Sequence, residues 1–189
     1  MRIRGALARL ARIGGLRGLT RGNKIAIVAG ACVLVAAALV ASIGTVDGSA
    51  HTGSPAAKGL TLHPLGRSGP ELSLNQYRGR SVVINFFASW CVPCKAETPL
   101  LARFFRAHHG QVPIIGVDVN DNTAAAMRFI RAAGVGYTVG SDPAGAAATR
   151  YGVVAIPQTF FLNASHRIVK RVFGAVTPAE LNAGLARMR

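Results

Sequence analysis

The 189-residue sequence is poor in cysteine, in acidic side chains and in aromatic rings. Three cysteines are too few for a disulfide-stapled fold or for a four-cysteine zinc site. The five histidines show no ligand spacing, so we expect neither a metal nor a cofactor. Three aspartates beside strand ends and turns are expected to cap the backbone and not to bind metal: Asp118, Asp121 and Asp142.

The charge balance is strongly basic, with 22 lysines and arginines against 7 acidic residues. Apart from a group in residues 1–24, these basic residues are spread along the chain, few aromatics lie among them, and no nucleic-acid motif is present. We therefore expect no nucleic-acid partner and interpret the charge as a solvated surface. Attraction to anionic headgroups or to an acidic partner is the secondary interpretation.

The amino-terminal part has the features of a membrane anchor. Residues 1–24 are basic and lack acidic side chains, and residues 25–43 form an uncharged apolar run. At about 1.5 Å per residue this run can cross a hydrocarbon core of about 30 Å. Because the basic residues precede the run, the positive-inside rule keeps the amino terminus in the cytoplasm and places the following part outside. We predict an uncleaved, single-pass anchor in the cell membrane; a signal peptide cleaved near Ala50 is the alternative.

The rest of the chain divides into a linker and one domain. Residues 44–58 are small and polar and predict a flexible linker, and residues 59–189 suffice for one globular domain. Hydrophobic periodicity and turn residues predict the following elements. They are a hairpin of 60–62 with 71–74, strands at 81–87, 114–117 and 137–139, helices at 93–108, 123–133 and 144–151, a hairpin of 158–162 with 168–173, and a helix from Thr177 to about Met188.

Cys91 and Cys94 lie where an apolar strand pattern gives way to a helical one. Free backbone N–H groups and the positive end of the dipole at a helix start favour the thiolate of Cys91. Cys94, one turn later, can resolve a mixed disulfide that Cys91 forms with a partner. The spacing therefore predicts a dithiol-disulfide exchange pair. A structural disulfide or half of a zinc site is the alternative, although the nearby histidines are only the adjacent His108 and His109, and the third cysteine, Cys32, is distant.

Three stretches, residues 85–97, 151–163 and 172–174, resemble the thioredoxin superfamily and, within it, the extracytoplasmic TlpA/ResA-like branch. Together they span essentially all of the predicted domain. The resemblance implies an α/β fold with a central mixed sheet flanked by helices, a leading β-hairpin, and an inserted strand and helix, preceded here by the transmembrane helix.

The resemblance also implies roles for residues outside the Cys pair. Pro157 is expected to form a cis peptide bond beside the pair, so that the backbone of Ile156 can bind an extended substrate segment. Trp90, the only tryptophan, is expected to flank the active site.

Proton transfer to and from Cys94 needs a further group. Cytoplasmic thioredoxins carry a buried aspartate six residues before the first cysteine, but this chain has Asn85 there, and an amide cannot accept the proton. Glu97, three residues after Cys94, matches the glutamate of the TlpA/ResA-like pattern and is our candidate. A solvated glutamate in the first helical turns is the alternative.

Together these residues predict a thiol-disulfide oxidoreductase that acts on protein disulfides outside the membrane. We expect a reductant that takes electrons from a membrane thiol-disulfide donor and acts on substrates such as apocytochrome c during cytochrome c maturation; a disulfide-forming oxidant of the same fold is the alternative. A thiol peroxidase would need proline at position 84 and threonine or serine at 88, where the chain has Ile84 and Ala88. A thiol-binding module without turnover is the non-enzymatic alternative.

Overall fold

The computed structural model describes Ala57 and residues 59–189. Its strands are β1 (Thr61–Pro64), β2 (Leu72–Ser73), β3 (Val82–Phe87), β4 (Ile114–Val119), β5 (Thr138–Asp142), β6 (Gln158–Leu162) and β7 (Ile168–Phe173). Its α-helices are α1 (Val92–Ala107), α2 (Thr123–Ala132), α3 (Ala146–Arg150) and α4 (Pro178–Met188), and a 3-10 helix covers Leu74–Tyr77. The predicted elements are confirmed, and most bounds differ by only a few residues.

The strands form one mixed sheet in the order β2-β1-β5-β4-β3-β6-β7. β3, β4 and β5 run parallel, whereas β1, β2, β6 and β7 each pair antiparallel with their neighbours. Both predicted hairpins are present, since Leu62 pairs with Leu72 and Thr159 with Val172. The parallel strands bring the carboxyl ends of β3, β4 and β5 to one edge of the sheet, where the Cys pair follows β3.

Side chains alternate from β3 into two apolar cores, one on each face of the sheet. Val83 and Phe87 belong to one core, and Ile84 and Phe86 belong to the other. A strand that is buried on both faces needs a continuous apolar run, which explains the composition of this segment. Helix α4 packs directly on β6, because a Cβ atom at Gly184 would lie 2.2 Å from the Phe161 ring.

Capping residues fix where the helices begin. Cys91 is the N-cap of α1, and Pro93 occupies its first turn. Thr177 and Glu180 form the predicted capping box of α4, with Pro178 at the first helical position. The active-site helix therefore begins at Cys91 itself, as the sequence predicts.

Within Ala57 and 59–189, no helix is both long and apolar enough to span a bilayer. The predicted membrane helix at 25–43 lies outside the described residues, as do the basic segment 1–24 and almost all of the linker 44–58. These boundaries stay predictions.

Candidate active site

The two cysteines form a disulfide at the amino-terminal end of α1. The sulfur atoms of Cys91 and Cys94 are 2.00 Å apart, and the Cα atoms are 5.2 Å apart. The backbone N–H of Cys94 points at the Cys91 sulfur, with 3.2 Å between the nitrogen and Sγ. Cys91 is 4% exposed and Cys94 is fully buried. Cys91 is therefore the sulfur that an outside partner can reach, and the helix terminus can stabilise negative charge on it.

Glu97 lies one turn after Cys94, on the side of α1 that faces the core. Its side chain is 1% exposed, which rules out the solvated-glutamate alternative. Oε1 accepts a hydrogen bond from Nδ2 of Asn85 at 2.5 Å, and Oε2 accepts one from the backbone N–H of Val176 at 2.6 Å. Asn85 also donates to Oγ1 of Thr159 at 2.9 Å. Strand β3 and the segment before α4 thus fix both carboxyl oxygens.

Burial raises the pKa of Glu97 from 4.5 to about 7. The two hydrogen bonds, from Val176 and Asn85, favour the charged form and lower the pKa, so they oppose the larger effect of burial. Glu180 adds a small repulsion that raises it. A carboxyl with a pKa near neutrality can accept a proton and return it under ordinary conditions.

The loop before β6 supplies the second predicted part of the site. The peptide bond between Ile156 and Pro157 is cis, as the resemblance implies. Pro157 is buried, Ile156 is half-buried, and the carbonyl of Pro157 accepts a hydrogen bond from Gly174 N at 3.0 Å. The cis peptide bond thus lies on the loop that immediately precedes β6.

Trp90 flanks a groove next to this loop. Its ring is 58% exposed, and its Nε1 donates to the carbonyl of Asn120 at 3.1 Å. The groove has a volume of about 450 Å³ and runs between Trp90, α3 and the loop that ends at Ile156. Small residues such as Gly145 and Ala148 form its floor. It is wide enough for side chains of a bound polypeptide segment.

Comparison with known proteins identifies the family. The AhpC/TSA family model matches residues 55–171, which is more than half of the chain. The chain belongs to the AhpC/TSA family. Within it, the thiol:disulfide interchange protein CycY of Rhizobium leguminosarum bv. viciae is 34% identical over 117 residues, covering 61% of this chain and 62% of that protein. The thiol-disulfide oxidoreductase ResA of Bacillus subtilis is 31% identical over 116 residues, covering 61% and 65%.

A solved structure shares the fold. The DsbF homologue from Corynebacterium diphtheriae matches with a TM-score of 0.64 at 24% identity, covering 72% of this chain and 87% of that one. The predicted resemblance and the thioredoxin-like α/β fold are therefore confirmed. The chain spans slightly less than two thirds of the length of both CycY and ResA.

The sequence analysis missed a contact that holds the segment before Cys91 in this AhpC/TSA family member. Asp121, in the turn after β4, accepts hydrogen bonds from Ser89 N at 2.5 Å and from Ser89 Oγ at 3.0 Å. The carbonyl of Asn120, one residue earlier, binds Trp90. The β4–α2 turn thus orients the residues that lead into the Cys pair. The run of polar residues at 120–122, directly after a buried strand, was the available signal.

Asp118 does not cap the backbone as expected. It lies in β4 with 1% exposure, and its Oδ1 has no hydrogen-bond partner among the described residues. The pKa of Asp118 is raised from 3.8 to about 7, mainly by burial and in addition by the charge of Asp121 and a hydrogen bond to it. A carboxyl that keeps its proton can donate to Asp121, which explains why two acids are tolerated together. The expectation is confirmed for Asp142, which accepts from the N–H groups of Ala147 and Ala148.

Arg171 was also missed. Its guanidinium lies over the rings of Phe160 and Phe173, 4.8 and 4.4 Å from their centroids. It donates to the carbonyl of Gly152 at 2.6 Å and, through two nitrogens, to Oε1 of Gln158. Arg171 thereby links β7 to both ends of the cis-proline loop. In the described part of the chain, no three potential metal-ligating side chains cluster.

Proposed function

We propose that the protein is a thiol-disulfide oxidoreductase that exchanges disulfides through Cys91 and Cys94. The observation that carries this proposal is the position of the pair at the first turn of α1, where Cys91 keeps 4% exposure and Cys94 is fully buried. The similarity to the interchange protein CycY and to the oxidoreductase ResA supports the same chemistry.

In the reducing direction, the Cys91 thiolate attacks one sulfur of a substrate disulfide. A mixed disulfide forms, and the other substrate sulfur leaves as a thiolate. The thiol of Cys94 then loses its proton and attacks the Cys91 sulfur, which releases the second substrate sulfur. The substrate gains two electrons and becomes a dithiol, and the protein becomes the Cys91–Cys94 disulfide. The same steps in reverse describe the oxidant alternative.

Glu97 is our proposed proton acceptor for Cys94. It lies one helical turn away, it is buried, and burial raises its pKa to about 7. Asn85, at the position where cytoplasmic thioredoxins have an acid, contributes a hydrogen bond and not a titrating group. The pH dependence of exchange should therefore change in Glu97→Gln. Superimposable profiles of the exchange rate against pH would show that water takes the Cys94 proton instead.

Substrate polypeptides are proposed to bind along the cis-proline loop. The backbone of Ile156 would pair with an extended segment, Pro157 would hold that backbone beside Cys91, and Trp90 would cover one side. The most exposed large apolar side chains of the described region support this: Trp90, Val92, Val154 and Phe173. Each belongs to the Cys motif, to the cis-proline loop, or to the strand end beside that loop. Such a surface suits unfolded or extended protein segments.

The proposed location is outside the cytoplasmic membrane, with the chain anchored by residues 25–43. There we propose a reductant that receives electrons from a membrane thiol-disulfide donor and serves cytochrome c maturation. The basic segment 1–24 and the apolar run support the topology, and the similarity to the oxidoreductase ResA supports the activity.

A redox titration against glutathione and dithiothreitol decides the direction. A potential near that of thioredoxin, about −270 mV, is expected for a reductant, and one near about −120 mV would favour the oxidant alternative. In parallel, Cys94→Ser should trap mixed disulfides through Cys91, because the resolving sulfur is gone. A folded Cys94→Ser protein that traps no partner, together with a wild type that reduces no protein disulfide, would favour a thiol-binding module without turnover.

A further inference from the structure

One end of the domain, opposite the Cys pair, concentrates arginine. The parallel strands β3, β4 and β5 start there, the β6–β7 turn lies there, and α1 and α2 end there. The end of α4 joins them, because Oγ of Ser81 donates to the carbonyl of Met188 at 2.8 Å. The basic end is defined by the following arginines: Arg78, Arg80, Arg106, Arg131, Arg167 and Arg189. All are exposed except Arg167, which is half-buried.

No acidic side chain among the described residues lies at this basic end. The aspartates follow β4 and β5 or end them, and the glutamates lie in the turn before β2 and in the early turns of α1 and α4. The acidic residues are Glu71, Glu97, Asp118, Asp121, Asp142 and Glu180. The charge distribution of the domain is therefore asymmetric, with a net positive charge at the end away from the disulfide.

Helix capping accounts for only part of this charge. Arg106 and Arg131 are in the last turns of α1 and α2, where a cation offsets the helix dipole. Arg78 and Arg189 are the C-cap residues of the 3-10 helix and of α4, where a cation has the same effect, whereas Arg80 and Arg167 do not lie at a helix end. Arg80 also donates to the carbonyl of Gln111 at 3.3 Å, so helix ends and this hydrogen bond explain part of the cluster, but no helix end accounts for Arg167.

The basic end also lacks what a nucleic acid or a tight protein partner would need. The strongly exposed aromatic side chains, Trp90 and Phe173, lie on the Cys side of the domain. Among the described residues, the exposed ring at the basic end is the imidazole of His109, and a single ring is no stacking platform for successive bases. None of the exposed large apolar side chains lies there to form the centre of a protein interface. Diffuse positive charge without anchors fits an anionic lipid surface.

The chain enters the domain at this same end. The backbone N–H of Ala57 donates to the carbonyl of His166 in the β6–β7 turn at 2.8 Å. The residue after His166 is Arg167, and the segment before Ala57 is the predicted linker that follows the apolar run at 25–43. A membrane tether would therefore arrive beside the basic end and not beside the Cys pair.

We propose that the basic end docks on anionic lipid headgroups and holds the Cys91–Cys94 pair away from the membrane surface. This goes beyond the proposed enzymatic activity but rests on the proposed membrane anchor. Helix α1 has 16 residues and runs from the Cys pair to the basic end, so docking would hold the pair about 24 Å from the headgroups. Protein substrates could then approach Cys91 from the aqueous side.

The test uses the full, oxidised chain in lipid nanodiscs of phosphatidylcholine, with or without one third phosphatidylglycerol. Trp90, the only tryptophan, lies at the Cys end and serves as the donor to dansyl-labelled headgroups. With phosphatidylglycerol we expect less energy transfer from Trp90 and a higher fluorescence anisotropy, because the docked domain holds Trp90 away from the lipid and rotates less. Added salt should reverse both changes.

Two charge-matched variants locate the effect. Arg78→Gln/Arg189→Gln removes two exposed cations from the basic end, and Lys95→Gln/Arg150→Gln removes two exposed cations elsewhere. At about 1 kcal/mol for each basic side chain near an anionic surface, the first variant should lower the docking equilibrium constant about 30-fold. The second should behave like the wild type.

Three results would overturn the proposal. Energy transfer that does not respond to phosphatidylglycerol would exclude lipid docking and would favour an acidic protein as the partner of the basic end. Equal losses in both variants would mean that total charge, not the basic end, matters. If the chain does not stay with the nanodisc, the membrane anchor on which the proposal depends does not exist. Retention on the nanodisc is measured separately from energy transfer and from disulfide exchange activity.

Discussion

In the oxidised protein, the free energy of unfolding of Glu97→Gln should rise relative to that of the wild type as the pH increases from 5 to 8. Burial raises the pKa of Glu97 to about 7 in the folded protein, against 4.5 for an ordinary glutamate. Between these values the folded state holds a proton that the unfolded state has lost. The free energy of unfolding of the wild type therefore falls as the pH rises through this window, and the fall ends above about pH 7. An amide at position 97 has no proton to lose, so the variant lacks this loss.

The size of the effect follows from the two pKa values. At 1.36 kcal/mol for each pKa unit, the difference between 4.5 and about 7 corresponds to about 3 kcal/mol. Asp118 titrates in the same window with the same sign, because burial also raises its pKa to about 7. It is present in both proteins, so its contribution cancels when the variant is compared with the wild type. The disulfide form is used so that neither cysteine titrates.

Glutamine can occupy this site with one rearrangement. Its oxygen can accept from the N–H of Val176, as Oε2 of Glu97 does. Its nitrogen would oppose Nδ2 of Asn85, but Oδ1 of Asn85 has no partner among the described residues, so the Asn85 amide can turn over and accept. The hydroxyl of Thr159 can then donate to Asn85 and no longer accept from it. After the rearrangement Nδ2 of Asn85 takes the place of Oδ1 as the atom without a partner, so the fold should survive with a cost that does not vary with pH.

The free energy of unfolding of both proteins is measured by urea unfolding from pH 5 to 8.5, with Trp90 fluorescence as the signal. Glu180→Gln is the matched control, because hydrogen bonds from Thr177 lower the pKa of the exposed Glu180 carboxyl. Its carboxylate stabilises the fold above the ordinary glutamate pKa, and that stabilisation is lost as the pH falls, so this variant should be less stable than the wild type at neutral pH. A difference between Glu97→Gln and the wild type that stays constant from pH 5 to 8 would refute the argument.

Three further outcomes are expected. In the reduced protein, iodoacetamide should modify Cys91 well before Cys94, as peptide mass spectrometry would show; faster modification of Cys94 would reverse their roles. Asp121→Ala should lower the free energy of unfolding by about 1–3 kcal/mol and increase Trp90 mobility in anisotropy measurements, because it removes both acceptors of Ser89, and an unchanged anisotropy would contradict this. Arg171→Lys should cost a similar amount in urea unfolding, because an ammonium cannot hold two acceptors and two rings in one plane; wild-type stability would show that charge alone suffices.

Local patterns in the sequence predicted most of the fold. The apolar run at 81–87 predicted a strand, and the threonine, proline and glutamate at 177–180 predicted the start of α4. The position of Cys91 at the start of a helix was predicted from the change from a strand pattern to a helical pattern of apolar residues. In each case the cause lies within a few residues of the effect, so one segment is enough to reveal it.

Contacts between distant segments could not be predicted in this way. The partners of Asp121 lie 32 residues earlier in the chain, and the sheet order that brings β3 beside β4 decides which side chains meet. For Asp118, capping was the wrong expectation because aspartate near a strand end usually faces a turn, whereas this one faces the interior next to a second acid. The sequence does not distinguish Arg171 from the other basic residues, because its position over two aromatic rings depends on the pairing of the strands.

Glu97 shows how local and distant causes combine at one residue. Its place one turn after Cys94 is a local property that the helical period predicts. Its pKa depends on burial, which favours the neutral form, and on the N–H of Val176, 79 residues away, which favours the charged form. Either influence alone would move the pKa of the carboxyl away from 7, since burial raises the pKa and the hydrogen bonds lower it. Their balance brings the pKa to about 7, where a carboxyl can both take up and release the proton that disulfide exchange moves at Cys94.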